Sequence, residues 1–413
     1  MSDFRTTSEY PMIPLEEAWR IVADTVAALG PVPMSLTQLQ GLVLAEDVVS
    51  RCDVPPFAAS KMDGYAITAG DGVSERHVLG ERGAGDAPGA GISPGTAVRI
   101  MTGAALPEGA DAVIPVEHTR EVDGLMHSMR RVRPGENVRH AGEDVATGDM
   151  VLRSGTVLGP AEVGLLATLG RPEIQVFPRP RVVVMATGDE LIPPEQPLGP
   201  GQIHDSNSFA LLAAVRAAGG VGRRLGPAID DEASLRCALL RASQDADVVI
   251  TSGGVSMGTR DLMKPVLASL GTVLFGRVAI KPGKPLTFST IGNTPVFSLP
   301  GFPVSSLVTF ENVVRPALRI MAGHVALWRP EVKARLTHAV RHAPDRMEFQ
   351  RAIVERRGGT YWATTTGSQV SSRLKSLVGA NALLRIPRGT GDLEEGCEIT
   401  ALLTNQPETE ARR

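Results

Sequence analysis

Apolar residues at Leu15, Ala18, Val22, Val26 and Leu29 recur at helical spacing, Pro14 suits a first turn, and Gly30 followed by Pro31 ends the run. One amphipathic helix is predicted there. Over residues 64–155 the texture changes: 16 glycines, many prolines and short β-type runs at 97–101 and 112–116 predict a β-rich module that sustains no long helix. Helical spacing returns at 160–169 and closes on Gly170. Residues 171–180, with three prolines, read as a linker. Beyond it short, continuous apolar runs alternate with helical ones. Strands are predicted at 182–186, 221–225 and 248–251, and helices at 208–218, 231–243 and from about 259. Strands that read as unbroken apolar runs are those covered on both faces, so a doubly wound α/β domain is expected. Further strands at 273–280, 286–289 and 296–299, with a turn at Gly292–Asn293, precede a helix over 304–321. Residues 332–403 alternate short apolar runs, such as 349–354 and 382–386, with glycine-containing turns, which predicts a small β-barrel or sandwich.

A chain of 413 residues with 43% hydrophobic and 21% charged residues supports several packed domains and excludes a disordered or fibrous chain. Its 42 Lys and Arg against 45 Asp and Glu leave a net charge of −3, which removes the global electrostatic case for nucleic-acid binding. No apolar run reaches the ~18 residues of a membrane span, and the polar start lacks a signal-peptide block, so a cytoplasmic protein is expected. Cys52, Cys237 and Cys397 stand far apart, with neither disulfide nor zinc spacing.

In an open parallel sheet, ligands bind beyond the carboxyl ends of the strands, where loops and helix starts present free N–H groups. The first strand runs into Thr187, Gly188, Asp189 and Glu190, and the strand at 248–251 into Ser252, Gly253, Gly254, Val255 and Ser256. Glycines allow close approach of an anion and hydroxyls donate to it, although such loops also occur as plain turns. Glu190, Asp205, Asp230 and Asp261 fall in loops at one edge of the same sheet. Asp205 and Asp230 precede predicted helices and serve equally well as N-caps, whereas several carboxylates beside a phosphate loop point to Mg²⁺. Arg277, Lys281 and Lys284 in GRVAIKPGKP aim cations at a common anion or form a solvated basic turn. Pro300, Pro303 and Ser305 lie in LPGFPVSS, a third loop suited to an anion. Asp63 before Gly64, and Thr102 in RIMTGAALP, read as turn residues or as functional ones. The histidines lack metal spacing, and neither a nucleophile elbow nor a dinucleotide fingerprint is present. Residues alone reach as far as a Mg²⁺-assisted enzyme acting on a phosphate or another oxyanion.

PPFAASKMDGYA, RIMTGAALPEGADAVIPVE, GENVRHAGED, TGDEL, GQIHDSN, ITSGGVSMGTRD, KPGKP and LPGFPVSS occur in this order. Together they closely resemble the MoeA and gephyrin E-domain family, the molybdopterin molybdenumtransferases, over nearly the whole chain. The resemblance implies an elongated bipartite dimerisation domain (1–29 and 142–178), a β-rich inserted domain (30–141), a MogA-like molybdopterin-binding α/β domain (179–326) and a C-terminal β-barrel (327–413). It implies an elongated homodimer whose cleft is shared between subunits, and the last step of molybdenum cofactor assembly: molybdate enters adenylylated molybdopterin and AMP leaves in a Mg²⁺-dependent step. Implied partners are the adenylyltransferase of the preceding step and acceptor molybdoenzymes. Asp63, Thr102, Asp144, Glu190, Asp230 and Asp261 are the implied catalytic residues, with Glu190, Asp230 and Asp261 as metal ligands. Thr187, Gly188, Asp189, Ser206, Ser252, Gly253, Gly254, Ser256, Arg277, Lys281, Lys284, Pro300, Pro303, Ser305, Arg351 and Ser371 are the implied substrate contacts. Two positions depart from the family pattern: Ala59 and Phe302 stand where asparagine is usual. A binding scaffold of the same fold would have lost charged site residues, and an adenylyltransferase would match the α/β portion alone and consume ATP.

Overall fold

The computed structural model describes residues 10–87, 89–227, 231–254 and 262–409. They divide into two compact units, residues 33–40 with 44–176 and the remainder of the described chain.

The larger unit is built on a six-stranded sheet. Its strands are β1 (Arg181–Ala186), β2 (Val221–Arg224), β3 (Val248–Ser252), β4 (Thr272–Phe275), β6 (Thr287–Ile291) and β7 (Thr294–Leu299), in the order β2-β1-β3-β7-β6-β4. β2, β1, β3 and β7 are parallel. β7, β6 and β4 form an antiparallel meander, so the expected parallel sheet is mixed at one side. Successive residues of β1 face opposite cores: Val182 and Val184 pack with Leu211, Val215 and Val308, and Val183 and Met185 with Leu235, Leu239 and Val266. That division is the doubly wound arrangement, with α2 (Asn207–Ala217) on one face and α3 (Glu232–Asp245) and α4 (Met263–Leu270) on the other.

The first helix, α1 (Leu15–Thr25), carries Leu15, Ala18 and Val22 on its buried face and shares the first of these cores. Residues 1–29, expected with 142–178, therefore contribute their described apolar face to the α/β layer. The helix expected over 304–321 is interrupted: α5 (Pro303–Thr309) and α6 (Arg315–Met321) flank a π-type turn at Phe310–Val314. The cause is Pro316, which has no N–H to give the carbonyl of Asn312 four residues back. Trp19 Nε1 takes that carbonyl instead, at 2.5 Å.

The C-terminal strands β8 (Glu331–Leu336), β9 (Met347–Arg357), β10 (Thr360–Thr365), β11 (Ala382–Ile386) and β12 (Glu398–Leu403) close on themselves through the β9–β11 pairing, giving a five-stranded barrel. Ala334, Leu336, Ala352, Val354, Leu384 and Ile399 fill it. A two-residue strand of the α/β portion, β5 (Ile280–Lys281), pairs in parallel with β9, placing Lys281 opposite Glu348.

In the smaller unit, Ala112–Pro115, Gly64–Ile67, Thr96–Ile100, Glu75–Arg82, Leu125–Ser128 and Thr119–Val122 form a six-stranded sheet in that order. Tyr65, Ile67, Ala97, Ile114 and Met126 bury one face, and Ala66, Ile100, Val113 and Val138 the other. The helix Pro160–Thr168 ends where Gly170, at φ +66°, lets the chain reverse. The expected linker at 171–180 contains a strand, Glu173–Phe177. Pro172 and Pro178 bracket this strand rather than interrupt it, and Ile174 and Val176 alternate inward. No helix among the described residues is long and apolar enough to cross a membrane.

Candidate functional site

Three loops meet at the carboxyl edge of β1, β3 and β7. Thr187 N–H donates to Ser252 O (2.9 Å) and Gly253 N–H to Leu299 O (3.1 Å). Ser252 Oγ reaches Pro300 O (3.1 Å) and Ser306 Oγ (3.1 Å). Asn207, beside Ser206 at the start of α2, donates from Nδ2 to Ser252 Oγ (2.9 Å) and Gly301 O (2.6 Å). The glycine requirement is steric at Gly253, where φ is +101° and a Cβ would lie 2.4 Å from Thr187 O. The exposed Glu190 folds its carboxylate over Gly188, where a Cβ would meet Oε2 at 2.6 Å. Thr187 Oγ1 is buried without a hydrogen-bond partner at this junction.

Asp205 is an N-terminal anchor of α2: it is buried, accepts from Ser208 N–H (3.0 Å) and the Ser208 hydroxyl, and lies 3.5 Å from Arg224 Nη1. Of its two readings, the cap describes it. Asp230, Ser256 and Asp261 lie outside the described residues. Among the described residues no three His, Cys, Asp or Glu side chains form a group able to hold a metal ion.

Pro300 leads from this edge into a cavity of about 790 Å³ between the α/β loops and the barrel. Lys281, Lys284 and Ser305 line one wall, and Ser371, Arg341 and Arg346 the other. Val304 N–H donates to Ser371 O (3.2 Å), joining the two walls. Lys281 Nζ lies 3.1 Å from Glu348 Oε1, and Glu348 Oε2 accepts from His342 Nδ1 at 2.8 Å. Glu348 and His342 are buried, so a carboxylate beneath the cavity orients its lysine. Arg341, Arg346, His342 and Glu348 escaped the sequence reading; their only signal was a basic stretch, AVRHAPDR, without ligand spacing. Arg277 contributes its carbonyl to Ile13 N–H (3.1 Å), while its Nε is buried without a partner, apart from the residues lining the cavity.

Arg351 is fully buried and does not line the cavity. Its guanidinium donates to Ser376 Oγ (3.1 Å) and to the carbonyls of Ser368, Gln369 and Val370 (3.3, 3.3 and 3.4 Å). Burial pushes its pKa down to about 10. Its role is to hold the loop that carries Ser371. Arg351→Met is expected to lower stability by about 3 kcal/mol, because those carbonyls lose a buried charged donor, and to make the 368–371 segment sensitive to protease. Denaturant titration and limited proteolysis check both effects; an unchanged midpoint refutes this role.

In the smaller unit, Asp63 Oδ1 accepts from Thr102 N–H (2.7 Å) and Thr102 Oγ1 (2.8 Å). Those two donors hold its carboxyl below the usual carboxylate range. Gly64 beside it is obligatory, since a Cβ would lie 2.0 Å from Ile114 O. Val138 and Arg139 pair with Ser60 and Ala59, which brings a second charged loop alongside. There Lys61 Nζ meets Glu143 Oε1 (2.8 Å) and Arg139 Nη2 meets Asp144 Oδ2 (3.7 Å). Lys61, together with the His140 N–H, holds Glu143 below its usual range. The Asp63–Thr102 pair and the neighbouring Lys61–Glu143 and Arg139–Asp144 pairs thus set three carboxylates and two cations around the paired Ala59–Ser60 and Val138–Arg139 segments.

Both sets of motifs are reflected in the comparisons with known proteins. Residues 13–170 match the MoeA N-terminal region (domain I and II), residues 183–320 a probable molybdopterin binding domain, and residues 333–404 the MoeA C-terminal region (domain IV). The chain is 41% identical to molybdopterin molybdenumtransferase 2 of Mycobacterium tuberculosis, across 93% of this chain and 98% of that one. It belongs to the MoeA family of molybdopterin molybdenumtransferases. Molybdopterin molybdenumtransferase of Haemophilus influenzae is 37% identical across 89% of this chain and 92% of its own length. A crystal structure of a MoeA protein from Pyrococcus horikosii superposes with a TM-score of 0.84 at 34% identity, covering 96% of this chain and all of that one. MoeA membership accounts for the order of the motifs and places the chain in molybdenum cofactor biosynthesis.

Proposed function

We propose that the chain inserts molybdate into adenylylated molybdopterin and releases AMP in a Mg²⁺-dependent step. The observation that supports this reading most directly is the cavity where Lys281, Lys284, Ser305 and Ser371 converge from two domains. Two ammonium groups and two hydroxyls suit a tetrahedral dianion, because charge-assisted donors compensate its lost hydration. The adjoining loops at Thr187–Glu190 and Ser252–Gly254 suit the phosphates, since their glycines allow close backbone approach. Glu190 offers Mg²⁺ a hard, exposed carboxylate at this edge, with Asp230 and Asp261 as further ligands. When bound, Mg²⁺ would neutralise charge developing on the phosphates as the phosphoanhydride breaks. Lys281 and Lys284 hold the oxyanion meanwhile, and Glu348 keeps Lys281 in place. We also propose a homodimer in which Asp63, Thr102 and Asp144 of one subunit complete the site of the other.

Purified protein incubated with adenylylated molybdopterin, molybdate and Mg²⁺ is expected to release AMP in step with molybdenum incorporation, and chelation of Mg²⁺ to stop the release. Consumption of ATP in place of AMP release would assign the chain to the preceding adenylylation instead, and the absence of both would leave a binding scaffold.

A further inference from the structure

Phe302 is 59% exposed and lines the same cavity as Lys284 and Ser305. A single exposed apolar side chain is ordinary on a protein surface. This one stands on the wall of a cavity whose other lining groups include lysines, arginines and hydroxyls. Its backbone is held on both sides: Asn207 Nδ2 donates to Gly301 O (2.6 Å), Ser306 N–H donates to Phe302 O (2.9 Å), and Pro303 fixes the next φ. The neighbouring barrel loop presents Val370, 54% exposed, on the same cavity. Among the described residues neither another ring nor a guanidinium lies over Phe302.

The cavity's volume, about 790 Å³, is that of a site for a whole organic ligand, of which a four-oxygen anion fills a small part. The lining offers both kinds of partner, Lys281 and Lys284 for an anion and Phe302 and Val370 for an apolar body. A ligand matching both has a charged end and a flat apolar body, and a ring anchored on a stiff backbone binds one at little ordering cost.

We propose that Phe302 is a platform on which a planar nitrogen heterocycle of the substrate, adenine or pterin, stacks while Lys281 and Lys284 hold the oxyanion in the same cavity. The assignment rests on reading the cavity as the oxyanion site. It makes Phe302 a specificity-determining residue of this chain.

The test measures equilibrium binding of AMP, of pterin and of molybdate to the full chain and to Phe302→Asn, Phe302→Leu and Phe302→Trp. Affinity for at least one heterocycle is expected to fall about tenfold in the Asn and Leu variants and to persist in the Trp variant, because base–aromatic stacking needs a π-face. Molybdate affinity is expected to stay within about twofold in all three, since its partners are the lysines. Loss with AMP alone assigns adenine to the platform, loss with pterin alone assigns pterin, and either supports stacking. Full heterocycle affinity in Phe302→Leu, or in Phe302→Asn, overturns the proposal. If molybdate fails to bind the unaltered chain while heterocycle binding still depends on Phe302, the oxyanion reading falls and the platform stands.

Discussion

Lys281→Met is expected to lower molybdate affinity about 100-fold, with molybdenum incorporation falling in parallel, whereas Lys284→Met costs about tenfold. Removing a charged donor from an anion accounts for about 1.5–3 kcal/mol, and each 1.4 kcal/mol is tenfold in affinity. The larger effect at Lys281 comes from its partner. Glu348 is 2% exposed, and its carboxylate is shared between Lys281 and His342. With the ammonium gone, an under-compensated carboxylate remains beneath the cavity and repels the incoming dianion. Lys281→Met combined with Glu348→Gln should therefore bind molybdate better than Lys281→Met alone, the reverse of additive loss. Isothermal titration with molybdate decides it: equal losses at the two lysines, or a double variant weaker than the single, would show that Glu348 has no such coupling to the anion.

The features legible in the sequence were those whose cause is local. The runs at 182–186 and 248–251 are continuous and apolar because both faces of β1 and β3 are covered, and that requirement is written in consecutive residues. The glycine loops were legible for the same reason, since Gly253 answers a steric demand a few residues wide. Features set by distant partners were not. Pro316 inside an apolar helical run gave no sign that Trp19, nearly 300 residues earlier, would accept the role of its missing donor. Nor does a barrel residue such as Glu348 show in sequence that β9 will dock beside β5 and deliver it to Lys281. Arg351 shows the converse: the family resemblance implied a substrate contact, but a match in residue type carries no information about direction, and its guanidinium turns inward to three carbonyls.

Glu190→Gln and Asp63→Asn are each expected to leave folding intact and to reduce AMP release about 1,000-fold. Both side chains are exposed, so stability should change by no more than about 0.5 kcal/mol. A charge positioned for a transition state is worth far more to the rate than to the fold. Substantial AMP release by either variant would remove that residue from the catalytic set. Mixing the two inactive chains then tests the proposed sharing of the site between subunits. At equal amounts about half the dimers are mixed, and in each mixed dimer one of the two sites draws an intact Glu190 from one chain and an intact Asp63 from the other. Activity should recover to about one quarter of the wild-type value. If Glu190 and Asp63 of the same chain served one site, every chain in the mixture would carry a defect and no activity would return. Mass spectrometry of the exchanged sample establishes that mixed dimers are present, so a silent mixture containing them would place both acids in a single subunit's site.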